Sequence, residues 1–152
     1  MIIDQRLQEL GISLPAAPKP LAVYIPAVRS GNLLFISGQL PTENGKLPET
    51  GKLGGGVSIE QGQAAARRAA LNALAIAKDM LGSLDQVTRV VRLTGHVASA
   101  EGFTQQPSVV NGASELLGQI FGEQGKHARL ALGAAELPLG APVEIELILE
   151  VR

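Results

Sequence analysis

Five stretches of this sequence are patterned as strands, but only two are patterned as long helices. That ratio is the strongest constraint on the fold, because two helices can cover only one face of a sheet. The last strand alternates cleanly, with Val143, Ile145, Leu147, Leu149 and Val151 on one face and Glu144, Glu146, Ile148 and Glu150 on the other. The β-branched run Val87–Thr94 predicts a third strand and Arg129–Glu136 a fourth. Tyr24–Val28 and Leu33–Gln39 read as a first pair joined by a turn over Arg29–Asn32. Ser58-Ile-Glu-Gln61 is a capping-box pattern that should open a long helix ended by Gly82. Its apolar arc holds Ile59, Ala66, Ala70, Ala73, Ala77 and Met80, with Glu60, Arg67, Arg68, Asn72, Lys78 and Asp79 opposite. Pro107 and Ser108 introduce a second helix, which buries Val110, Ala113, Leu117, Ile120 and Phe121 and stops at Gly122.

These patterns run β-β-α-β-α-β-β and predict an α+β fold, one sheet with two helices on a single face. A chain of 152 residues, 45% of them hydrophobic, suits one domain spanning 1–152. Residues 1–20 form an N-terminal extension: a short helix over Asp4–Leu10, ended by Gly11, then an extended lead-in over Pro15–Pro20. The glycine-rich loop Pro41–Val57 is long enough to be functional or mobile. Leu33 and Phe35 alternate with Leu34 and Ile36, so the face opposite the helices also needs cover at its centre. No further element supplies that cover, which predicts a homo-oligomer.

Composition removes many chemistries. There is no cysteine, which excludes disulfides, thiolate nucleophiles and cysteine-ligated metals. Thirteen Lys and Arg nearly balance 14 Asp and Glu, and one Tyr and three Phe are the only aromatics. Neither a basic nor a stacking surface for nucleic acid is expected. No apolar run reaches the ~20 residues of a membrane span, and Met1–Arg6 lacks the pattern of a signal peptide, so a soluble, cytoplasmic protein is expected. No phosphate-binding G-x-x-x-x-G-K-[ST] motif occurs. His96 and His127 are far apart, so no metal site is predicted. Ser37-Gly38 lacks the surroundings of a nucleophile elbow. His127 reads as a surface or turn residue, and Arg67-Arg68 as solvated.

Two residues stand out. Arg129 opens an apolar run with no acid before Glu136, so its guanidinium needs an anionic partner. That partner is either a glutamate of the same chain or the carboxylate of a ligand, whose shape the guanidinium fork matches. Glu144, on the less apolar face of the last strand, is either part of a solvated acidic row or a functional carboxylate.

From about Tyr24 onward the sequence resembles the RidA/YjgF family of reactive-intermediate deaminases, also labelled endoribonuclease L-PSP. The resemblance is carried by Gly31-Asn-Leu-Leu-Phe-Ile-Ser-Gly-Gln-Leu-Pro41, by Val110-Asn111, by His127-Ala-Arg129, by Leu137-Pro138 and by Val143-Glu-Ile-Glu146. It implies a chorismate-mutase-like fold, a homotrimer around a central barrel, and ligand clefts between neighbours. Arg129 matches the arginine that holds the substrate carboxylate, and Glu144 the glutamate that places the hydrolytic water. Tyr24, Ser37 and Asn111 match positions lining the cleft, and Ala131 stands where many family deaminases have cysteine. The reaction implied is hydrolysis of a 2-imino acid or its enamine tautomer to a 2-keto acid and ammonium, with no metal or organic cofactor. A non-catalytic sensor of small carboxylates and an RNA-cleaving protein are the alternatives.

One geometric expectation is independent of the family. If the last two strands run in opposite directions in one sheet, Arg129 and Glu144 lie at opposite ends, about 25 Å apart. They could then cooperate only across a subunit boundary.

Overall fold

The computed structural model describes residues 2–20 and 22–152. Its elements are α1 (Ile3–Glu9), β1 (Ala27–Ser30), β2 (Leu33–Gln39), α2 (Ile59–Leu81), β3 (Val87–Ala98), α3 (Gln106–Phe121), β4 (Ala128–Ala134) and β5 (Val143–Val151). The strands form one sheet in the order β1-β2-β5-β3-β4. All neighbours are antiparallel except β3 and β4. The chain therefore makes a β1–β2 hairpin and then crosses over through α2 to β3. A second crossover, through α3, reaches the edge strand β4, and β5 returns to fill the gap between β2 and β3. The expected α+β architecture, with α2 and α3 on one face of a single sheet, is the one observed.

Local chemistry explains where the helices begin and end. The Ser58 side chain accepts from the Gln61 amide at 3.1 Å, while the Gln61 side chain accepts from the Ser58 amide at 2.9 Å. Gly82 closes α2 in the left-handed conformation that glycine adopts without strain. The small side chains of α2 let it approach α3 closely, and Gly112 is the tightest point. A Cβ there would collide with the backbone carbonyl of Gln63. Gly112→Ala should therefore destabilise the protein by about 1–3 kcal/mol, although alanine is normally the better helix former. Gly118, on the same helix with open space around it, provides the control: Gly118→Ala should gain about 0.5–1 kcal/mol. Urea denaturation of the two variants checks the opposite signs.

Several local expectations need correcting. The first strand begins at Ala27 rather than Tyr24, because Pro26 has no amide to donate to a ladder. Met80 is exposed, whereas Asn72 is buried and donates to the carbonyls of Leu40 at 3.0 Å and Thr42 at 3.1 Å. Arg68 is also engaged, reaching Glu49 at 3.7 Å and Glu43 at 3.9 Å. These contacts, with the fully buried Leu53, hold the glycine-rich loop against α2 and the end of β3. The face of the sheet away from the helices carries Val28, Phe35, Leu130 and Leu132, between 39% and 49% exposed.

Candidate functional site

The predicted residues gather in two groups. In the first, a β-bulge between Ile36 and Gln39 lifts Ser37 and Gly38 out of regular pairing with β5, a device common beside functional sites. The Ser37 hydroxyl donates to the Ile25 carbonyl at 2.8 Å and its amide to the Pro26 carbonyl at 2.9 Å. These two bonds fix the segment that carries Tyr24. Glu144, at the start of β5, lies across Gly38: a Cβ at that glycine would come within 2.6 Å of the Glu144 Oε2. Glu144 and Tyr24 line one cavity. Burial pushes the Glu144 carboxyl above its ordinary pKa, His96 pulls it back and Glu146 pushes it further up.

The second group surrounds Arg129 at the edge strand. Its Nη1 donates to the Asn111 Oδ1 at 2.7 Å and to the Ser114 hydroxyl at 3.2 Å, and its Nη2 donates to the Pro107 carbonyl at 3.4 Å. All three acceptors are neutral groups of α3. Among the described residues Arg129 makes no ion pair. The local glutamate that would have neutralised it is not there. A guanidinium has five N–H donors, so the Nε–H and one Nη2–H remain without a partner among the described residues. Ala131 follows two residues later on the same side of β4.

Sequence reasoning missed two members of this second group. The Ser114 hydroxyl lies 2.9 Å from Nε2 of His127, and Nδ1 of His127 lies 2.6 Å from the Gly125 carbonyl. A carbonyl can only accept, so Nδ1 carries a proton, and in the neutral imidazole Nε2 then accepts from Ser114. Ser114 then turns a lone pair toward Arg129. His127 is thus a support for the arginine rather than an idle turn residue, and the spacing Asn111-x-x-Ser114 was the available clue.

The two groups do not meet within one chain, though not for the expected reason. β4 and β5 are separated by β3, with Arg129 level with Leu93 and Glu144 level with His96. Three residues along and two strands across give about 14 Å between backbones, not 25 Å. What separates them is direction. Arg129 points toward α3, whereas Glu144 alternates with the fully buried Val143 and Ile145 and leaves the opposite face.

Comparison with known proteins identifies the family and the fold. The sequence matches the family described as "YjgF/chorismate_mutase-like, putative endoribonuclease" over residues 4–151. The chain belongs to the RidA/YjgF family. A Trypanosoma cruzi relative, Protein TCP17, is 47% identical over 99% of this chain and 94% of its own length. The crystal structure of Atu1372, a protein of unknown function from Agrobacterium tumefaciens, is similar with a TM-score of 0.91 and 48% identity. That match covers 99% of this chain and 92% of the other. A family member from Dermatophagoides farinae named 2-iminobutanoate/2-iminopropanoate deaminase is 29% identical over 93% of this chain and 95% of its own. The family thus includes imine deaminases as well as proteins carrying the endoribonuclease label. Among the described residues no helix is long and apolar enough to cross a membrane.

Proposed function

We propose that this protein hydrolyses 2-imino acids to 2-keto acids and ammonia, in clefts where Arg129 of one subunit faces Glu144 of a neighbour in a homotrimer. The observation carrying this reading is the uncompensated Arg129 guanidinium, oriented by three neutral acceptors and with two donors to spare. Such a group binds a carboxylate through paired charge-assisted hydrogen bonds. The apolar residues on the open face of the sheet support the trimer, since association would remove them from water.

With its carboxylate on Arg129, the substrate holds its C=N carbon at a fixed place. Glu144 takes a proton from water as the water oxygen bonds to that carbon. The proton passes to the imine nitrogen to give a carbinolamine. The hydroxyl proton then moves to the amino group by way of Glu144, the C–N bond breaks, ammonia departs and the remaining oxygen becomes the keto group. The substrate brings its own electrophile, and the protein supplies position and one base.

The direct test couples an L-amino-acid oxidase to keto-acid detection: the protein must accelerate keto-acid formation from the released imine. The subunit boundary has its own test. Arg129→Ala and Glu144→Gln, each inactive alone, are unfolded together and refolded as a mixture. About a quarter of the clefts then pair two native residues, so activity should return to about that fraction. No recovery, when wild-type protein refolded in parallel regains its activity, would overturn cooperation of the two groups across the boundary. Gly38→Ala should push the Glu144 carboxyl aside with little change in thermal stability, because the colliding atom ends a flexible side chain. Turnover should fall by up to about 10²-fold, measured in the same assay.

A further inference from the structure

The cavity beside Glu144 has a volume of about 760 Å3, within the range of sites for drug-sized ligands. That is far more than the methyl or ethyl group of 2-iminopropanoate or 2-iminobutanoate would fill. Its walls are mainly apolar, with Pro15, Pro18, Pro20, Tyr24, Leu40 and Pro138 among them. Of the polar side chains that line it, which also include Lys19, Thr42, Asn44 and Glu144, Gln39 and Asn72 are occupied. The Gln39 amide donates to the Ser37 carbonyl at 3.0 Å, and the Asn72 amide serves the Leu40 and Thr42 carbonyls.

One wall comes from the N-terminal extension, and that wall is tethered. Ile3 and Leu7 are buried, Arg6 donates to the Gln119 carbonyl at 2.9 Å, and Asp4 pairs with Lys78 at 3.4 Å. Ile12, Leu14 and Ala17 pack against the core, and the prolines restrict the backbone that follows. A wall ordered in advance adds little entropic cost to binding.

We infer that this cavity receives the side chain of the substrate and selects 2-imino acids with bulky apolar side chains, aromatic or branched, over the short ones. The inference rests on the deaminase reading, because Glu144 ties the cavity to the reacting carbon. Each methylene taken out of water should add about fourfold to kcat/KM. The imine of phenylalanine or leucine should therefore exceed that of alanine by at least about tenfold.

The experiment compares imines released by an L-amino-acid oxidase from phenylalanine, leucine and alanine, on the wild type and on Ala16→Trp. Ala16 lines the cavity and is exposed, so the indole fills space without disturbing the core. The phenylalanine and leucine imines should lose at least about tenfold in this variant, and the alanine imine should be little changed. In parallel, thermal unfolding is followed with phenylpyruvate and with pyruvate. Phenylpyruvate should stabilise the wild type more, and Ala16→Trp should abolish the difference. Equal rates for all three imines, together with equal stabilisation, overturn the inference while leaving the deaminase reading intact. If no imine is hydrolysed but phenylpyruvate stabilises selectively, the deaminase reading fails and the apolar side-chain pocket stands.

Discussion

Arg129→Ala is expected to lower kcat/KM for 2-imino acids by roughly 10²- to 10³-fold. The ground is the desolvated charge pair between the guanidinium and the substrate carboxylate, whose truncation typically costs about 2–5 kcal/mol. Most of the loss should appear in KM if the contact is made equally in the bound state and the transition state. It should appear in kcat if alignment of the C=N carbon dominates. Stability should change little, because the three hydrogen bonds lost run to half-buried or exposed neutral groups that water can satisfy. Arg129→Lys should not rescue, since an ammonium keeps the charge but not the fork. Substitution of His127 by alanine offers an intermediate case: Ser114 loses its acceptor and the arginine a fixed support, so a smaller rise in KM is expected. Steady-state kinetics on one imine settles all three. Activity of Arg129→Ala within a few-fold of wild type would remove the arginine from the reaction.

The parts of this structure that were legible in the sequence are those governed by near neighbours. β5 follows its alternation from Val143 to Val151, and α2 starts at its capping box and stops at Gly82, because each signal acts within a few residues. Strand adjacency was not legible. Nothing in the pattern of β4 says that β3, not β5, lies beside it, so the separation of Arg129 and Glu144 was overestimated. Asn72 reads as a residue opposite the apolar arc because its type is polar. Its burial depends on two loop carbonyls 32 and 30 positions away, which no local period encodes. The charge state around Arg129 was undecidable for the same reason, since the choice between a local glutamate and a ligand turns on which side chains the fold brings near. Residues 1–20 read as an extension, and only the folded chain brings Pro15, Pro18 and Pro20 into one wall of a cavity with Glu144.

Glu144→Gln is expected to remove about 10²–10⁴-fold in kcat, the usual contribution of a positioned general base, and the pH dependence shows whether the base is this carboxyl. Burial holds its pKa above the ordinary value of 4.5, so kcat/KM of the wild type should rise with pH along a limb displaced upward from that value. The two charged neighbours shift the limb in opposite directions. Glu146→Gln removes a repelling charge and should move it down, whereas His96→Ala removes an attracting one and should move it up. The sign for stability is the reverse of that for catalysis. A folded-state pKa above the unfolded one means that the native protein binds the proton more tightly, so stability falls as pH rises between the two values and stays lower beyond them. Glu144→Gln abolishes that decline, and at neutral pH the variant should unfold at the same or a higher temperature than the wild type. Lost turnover with preserved or increased stability is the pattern of a residue kept for chemistry at a cost to the fold. If the acid limb stays in place in both neighbour variants, or if Glu144→Gln retains most of the activity, the base lies elsewhere.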